Sequence, residues 1–438
     1  MYKNLALISF LLIGMFLSGC QIISKEKHNE QGTLVVLDTD EQRFRTEYLG
    51  TINRSYPKLE VVLVPYENYR NEQTKQGNLT NQEILSGAIE YYLPDIIIAR
   101  ERADFKKLMS DNRLAPLDRG IKSDKYDQDP LDPKLISSLR GDDGLQYALS
   151  SHFTSTVLYY NQSAFQQAGV ATPNDGMTWE EVYLTAARFS GNSINNNKEY
   201  GLYLPNANST FSAVLNLAYE QGIGFFTPKK ELALRTPEWV KVWETVTKAV
   251  TSGALFPFGQ DAAGEDPIKQ FSEGKIAMIY GDDRLIAQII NRKADWAMVS
   301  EPIHSKQPDV GNNYRYLQYM GLSVNAPHRD LAWEVMKLLN GEKAALSFSG
   351  QGIPIRKAVA NIRYNHLDLK AFYSLRPRDS EFEDPAPTGL DPEFYLDLYS
   401  EGDKKVKEVI ENKVTIDQAL LELEELGQVL VKRYTKVE

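Results

Sequence analysis

At 438 residues, 42% hydrophobic and 25% charged, the chain is about three times the commonest domain size, which favours two domains and excludes a disordered or low-complexity polymer. Its net charge of -10 argues against nucleic acid as a partner, because a phosphate backbone demands a basic face. A single cysteine, Cys20, excludes an internal disulfide and a thiolate metal cluster, and 5 scattered histidines without an HExxH motif imply no metal site; no cofactor is expected.

Lys3 precedes an apolar run from Leu5 to Phe16, too short to span a bilayer and of the length of a signal-peptide core. Leu17-Ser18-Gly19-Cys20 follows and resembles the bacterial lipobox, in which the cysteine thiol receives diacylglycerol. Residues 1–19 therefore read as a signal peptide, and 20–32 as a lipidated N-terminus and polar tether. The expected location is extracytoplasmic, with the lipid on Cys20 holding the protein to the cell membrane. Two acyl chains suffice for that, at about 0.8 kcal/mol per buried methylene.

From Thr33 onward, three short β-branched runs (33–37, 59–64 and 95–98) are separated by helix-length segments, which predicts βαβαβ. Phe44, Tyr48 and Ile52 fall on one helical face of the first segment, and Ile84, Ala88 and Tyr92 on one face of the second. Near-continuous apolar strands imply a parallel sheet covered on both sides, whose ligands bind at the strands' carboxyl ends. Those ends are Asp38 to Glu41 and Ala99 to Arg102.

Farther along, Thr178-Trp179-Glu180-Glu181 reads as a capping box, with Met177 and Val182 as a hydrophobic staple, and Thr236-Pro237 starts another helix. Trp179, Trp239 and Trp243 are expected to pack those helices. The stretch from Arg376 to Gly389 is proline-rich and charged, as suits an interlobe crossing or exposed loop. Thr415 to Gln418 opens a last helix that places Ala419, Leu420, Leu423, Leu426 and Leu430 on its inner face.

A series of local signatures in this order resembles the family 1 extracellular solute-binding proteins of bacterial ABC importers, the maltose- and oligosaccharide-binding group. They are Pro94-Asp95-Ile96-Ile97, Leu114-Ala115-Pro116-Leu117-Asp118, Leu158-Tyr159-Tyr160-Asn161 with its continuation to Glu181, Phe271 to Met278, and Gly352-Ile353-Pro354-Ile355-Arg356. Two positions depart from the family pattern: Gln162 stands where lysine or arginine is common, and Ser150 where proline is.

The resemblance implies an α/β, two-lobed periplasmic-binding-protein-like fold of type II, each lobe a mainly parallel sheet flanked by helices, with the ligand cleft between lobes. The lobes are expected to comprise 33–152 plus 322–376 and 155–317 plus 388–438. The cleft should receive Asp40 and Glu41 from the first strand's exit, Arg100 and Arg102 from the third, and the crossing His152-Phe153-Thr154. Phe211, the loop with Asp282 and Asp283, the crossing Gln318-Tyr319, and Tyr395 or Tyr399 should join them. Aromatic faces against C–H patches and planar polar groups against hydroxyls are what a sugar requires.

The function implied is that of a monomeric lipoprotein that captures a small solute, by preference a carbohydrate, and delivers it unaltered to membrane permease subunits. Two alternatives stay open at the level of sequence. A sensory protein would share the capture step, and 59 carboxylates leave a surface glycoside hydrolase open by counting, although no GxSxG, P-loop or metal-ligand spacing accompanies them.

Overall fold

The computed structural model describes residues 32–77, 79–126, 131–190, 199–348, 350–378 and 384–435. The expected leader, Cys20 and nearly all of the tether lie outside the described residues, as does the middle of the proline-rich stretch.

In chain order the first strands are β1 (Gly32–Asp38), β2 (Leu59–Leu63), β3 (Ile96–Ala99), β4 (Leu114–Ala115), β5 (His152–Thr154), β6 (Thr156–Asn161) and β7 (Tyr200–Tyr203). They are followed by β8 (Ile276–Asp282), β9 (Trp296–Ser300), β10 (Val310–Gly311), β11 (Arg315–Tyr316), β12 (Tyr319–Ser323), β13 (Ile353–Pro354) and β14 (Arg376–Pro377).

Two of the sheets form the lobes. The first has the order β2-β1-β3-β12-β4 and the second β7-β8-β6-β9. β1 runs parallel to β2 and β3, as the βαβαβ pattern requires, and all four residues of β3 are buried. Phe44, Tyr48 and Ile52 are buried together beneath this sheet, although the helix carrying them is interrupted by a π-helical turn at Arg45–Leu49. Helix Asn81–Tyr92 starts on a Thr80–Glu83 capping box and buries Ile84, Leu85, Ala88 and Ile89.

The sheets are more mixed than the expected mainly parallel arrangement. β12 lies antiparallel to β3 and β4, and β6 lies antiparallel to β8 and β9. The register gives the reason. Tyr319, the first residue of β12, faces Ala99, the last of β3, and Thr156, the first of β6, faces Asp282, the last of β8. A strand that arrives from the other lobe starts at the interlobe end, so it runs against strands that finish there.

A three-stranded antiparallel sheet, β11-β5-β13, connects the lobes, with Phe153 opposite both Tyr316 and Ile353. Beside it, β10 pairs with β14, which brings Arg376 and Pro377 alongside Val310 and Gly311. One apolar cluster runs from Ile97 and Phe105 through Phe153 and Tyr316 to Tyr159 and Ile279, so the connection is packed as well as hydrogen-bonded.

The second lobe has its own helical layer. Helix Trp179–Ala186 starts on the Thr178–Glu181 box, and Trp179, Trp239 and Trp243 are buried among helices as their spacing predicts. Helices Glu393–Ile410 and Ile416–Tyr434 close this layer, the latter burying Ala419, Leu420, Leu423 and Leu430. Among the described residues no helix is long and apolar enough to cross a membrane.

Candidate interlobe binding site

At the end of β1 the carboxylate of Asp38 is fully buried, and Arg100 at the end of β3 reaches it with a forked pair of bonds, Nε to Oδ1 at 3.0 Å and Nη2 to Oδ2 at 2.6 Å. Arg100 Nη1 donates to Glu47 Oε2 at 3.1 Å and to the Leu317 carbonyl at 3.2 Å. One guanidinium thus fastens both strand exits, the first helical segment and the second crossing. Burial pushes the Asp38 carboxyl up from its ordinary value, and its bonds from Arg100 oppose that rise.

Above this clip lies a cleft of about 660 Å³, within the range of small-molecule sites. Arg100, Arg102 and Tyr319 line it from the first lobe's sheet, Thr154 from the first crossing, and Asp282 from the end of β8. The structure brings these five sequence-predicted residues together.

The other predicted residues are placed elsewhere, each for a local reason. Asp40 caps the helix that follows it, accepting from Arg43 N at 3.0 Å, and Glu41 Oε1 accepts from Glu67 N at 3.4 Å. His152, Phe153 and Gln318 are fully buried within the connection between lobes. Arg363 donates to His152 Nε2 at 3.0 Å, the ring stacks on Phe348 with centroids 4.1 Å apart, and Nδ1 lies 2.9 Å from Ser151 Oγ. Burial and the Arg363 charge push the imidazole down to about 3, so it is neutral and Nδ1 carries the proton. Gln318 Nε2 donates to the same Ser151 hydroxyl at 2.8 Å.

Asp283 turns inward, its Oδ2 accepting from Gly352 N at 2.9 Å, and burial raises its carboxyl to about 6. Phe211 belongs to the helical layer of the second lobe rather than to the cleft, because the buried face of helix Thr210–Glu220 carries it against Trp243. Tyr395 and Tyr399 pack in the same layer around Phe225, at centroid separations of 6.1 and 6.2 Å.

Several lining residues escaped the sequence reading. Asn312, Asn313, Tyr314 and Arg315 precede the second crossing, and Arg378 follows β14. The only sequence signal for them is a polar run between two short apolar segments. From the cleft a side recess of about 250 Å³ enters the second lobe, walled by Trp179, Tyr183, Leu204, Tyr219 and Tyr280.

A buried acid pair stands where recess and cleft meet. Glu220 and Glu301 are 5% and 2% exposed, and the Tyr280 hydroxyl lies 3.1 Å from Glu220 Oε1 and 3.0 Å from Glu301 Oε2. That hydroxyl has one proton and cannot serve both acids. Thr156 Oγ1 lies 2.8 Å from Glu301 Oε2, and Asn313 Nδ2 lies 2.6 Å from Glu220 Oε1. Burial raises both carboxyls, and the neighbouring Glu220 charge further raises Glu301, which reaches about 7. Each of the two therefore holds its proton to higher pH than a free glutamate does.

A family model described as bacterial extracellular solute-binding protein matches residues 70–368, across both lobes and the cleft. The chain belongs to that family. An arabinooligosaccharide-binding protein of Bacillus subtilis is 25% identical over 265 residues, 57% of this chain and 55% of its own. A binding protein of Brucella abortus is 24% identical over 250 residues, 56% of this chain and 59% of its own. The chain thus spans little more than half the length of the curated relatives it matches. Among solved structures, a family 1 extracellular solute-binding protein of Alicyclobacillus acidocaldarius superposes with a TM-score of 0.61 at 14% identity, over 91% of this chain and 98% of that one. This likeness establishes the type II two-lobed fold.

Proposed function

We propose that the chain is the solute-capturing lipoprotein of an ABC importer, held outside the cell membrane by lipid on Cys20, which binds a carbohydrate between its lobes and delivers it unaltered to a permease. The observation that carries this reading is a polar cleft lined from both lobes and spanned at its back by the three-stranded connection. The family supports solute capture, and the relative named for arabinooligosaccharides supports a sugar. The side recess combines the aromatic residues Trp179, Tyr183 and Tyr219 with the polar Asn216 and Glu220, the two kinds of group a pyranose or furanose needs. The lobes are drawn as 33–152 plus 319–376 and 155–317 plus 388–438, with the return boundary at Tyr319 because β12 is one strand of the first sheet.

Closure supplies the affinity. Contacts from the second lobe form only when the lobes shut, so a ligand favours the closed state by that differential affinity. A ligand that binds only the folded state raises the melting temperature, so the mature protein is screened against sugars, and X-ray scattering on the best binder should show a smaller radius of gyration than the free protein. Identical dimensions with saturating ligand, or a ligand recovered chemically changed, would count against the proposal. Cys20→Ala should move the protein from the membrane fraction to the medium; retention on the membrane would remove the lipid anchor from the account.

A further inference from the structure

The chain as a whole is acidic, with a net charge of -10, yet among the described residues the cleft lining carries six arginines (43, 100, 102, 284, 315 and 378) against three carboxylates, Glu47, Glu101 and Asp282. Three of those arginines pair with described acids at the site. Arg100 is held by Asp38 and Glu47, Arg43 Nε by Glu47 at 2.6 Å, and Arg284 Nε by Asp282 at 2.7 Å. Beyond these pairs Arg315 and Arg378 also line the cleft.

Arg315 and Arg378 are the informative two. Arg315 is an exposed residue of β11, within the three-stranded connection, and no described acid pairs with its side chain. Arg378 Nη2 donates to Asn312 Oδ1, and its Nε is buried without a partner among the described residues. Its hydrogen-bonded link to an acid runs through Asn312, whose Nδ2 donates to Glu220 Oε2 at 2.7 Å, and its charge also acts on the Glu220 carboxyl. A buried guanidinium N–H left unbonded costs free energy unless a ligand supplies the acceptor.

A neutral sugar gives a site no reason to gather guanidinium groups that no described acid hydrogen-bonds, since they repel one another and are costly to desolvate as the lobes close. An anion does, because the planar fork of arginine matches a carboxylate or phosphate with two parallel bonds. Taking the proposed capture of a carbohydrate as its basis, the geometry points to an anionic carbohydrate as the solute: a sugar bearing a carboxylate or phosphate that meets Arg315 and Arg378 at the mouth of the connection, while its ring occupies the aromatic side recess. The same arginines would draw such a solute toward the cleft of an otherwise acidic protein.

The test measures melting temperature of the mature protein against matched solutes. Glucose and galactose are set against glucuronate, galacturonate and glucose 6-phosphate, and neutral malto- and arabino-oligosaccharides against oligogalacturonates. Inorganic phosphate and sulfate separate a bare anion from an anionic sugar. The expected result is stabilisation by the acidic member of at least one pair where the neutral member has no effect. Its affinity should weaken as sodium chloride rises from about 50 to about 500 mM. It should also fall roughly ten- to hundredfold in Arg315→Gln and in Arg378→Gln, as loss of a charge-assisted bond implies. Arg315 is exposed, so its variant keeps folding out of the comparison even if Arg378→Gln lowers the unliganded melting temperature.

Stabilisation by neutral sugars alone, or an acidic ligand whose affinity is unchanged in both variants, overturns the anionic assignment and leaves carbohydrate capture standing. Stabilisation by phosphate or sulfate with no response to any sugar overturns both.

Discussion

Replacing Glu301 with glutamine isolates the buried acid pair. The substitution keeps the carbonyl oxygen that accepts from Thr156 at 2.8 Å and makes position 301 permanently neutral. In the folded protein burial and Glu220 move the Glu301 carboxyl from 4.5 to about 7, a difference worth about 3 kcal/mol. Between those two values the folded chain keeps a proton that the unfolded chain releases. This group's stabilising contribution is therefore fully present below pH 4.5 and is lost as pH rises through about 7. Glu301→Gln does not titrate and escapes that loss. Urea unfolding followed by tryptophan fluorescence at pH 5 and pH 8 should show the variant gaining on the parent by about 2–3 kcal/mol between the two conditions. Other titrating groups act equally on both proteins and cancel, apart from Glu220, which ionises more readily once its neighbour is neutral. A gap between variant and parent that is the same at both pH values would refute the raised Glu301 carboxyl.

Arg100→Gln leaves the carboxylate of Asp38, fully buried, without its counterion. A loss of about 3–5 kcal/mol in urea unfolding is expected, and a loss under about 1 kcal/mol would show that the clip is dispensable. Gly402→Ala places a methyl group 2.2 Å from the Phe211 ring, so overpacking should cost about 1–3 kcal/mol in the same assay. Thr178→Ala breaks a box in which Thr178 N donates to Glu181 Oε2 at 2.7 Å, and should lower stability by about 1 kcal/mol with binding unchanged by calorimetry.

What was legible in the sequence was chiefly what depends on neighbours in the chain. The apolar runs of β1 and β3, the inward faces of the flanking helices and the caps at Thr178, Thr236 and Thr415 all follow from spacing within a few turns. The rule that ligands sit beyond strand ends also placed Arg100 and Arg102 at the cleft. It could not show that Arg100 spends its donors on Asp38, 62 residues away, and on Leu317, 217 residues away. Phe211, Tyr395 and Tyr399 went to the helical layer because helical periodicity decides which way a ring points, and motif order carries no such direction. Asn312, Asn313 and Arg315 were missed because a short bridge between lobes has no period to detect. Glu220 offered a faint signal, an acid three residues beyond Leu217 on the buried face of its helix.

The placement of β12 in the interior of the first sheet, between β3 and β4, constrains how the molecule can be made. The segment that supplies it is synthesised only after all four strands of the second sheet. The lobe begun first is therefore finished late, and until Tyr319–Ser323 arrives, β3 presents an open apolar edge. Pairings this distant along the chain slow folding. A chain that cannot close its first sheet early keeps its first lobe open until the second has been made.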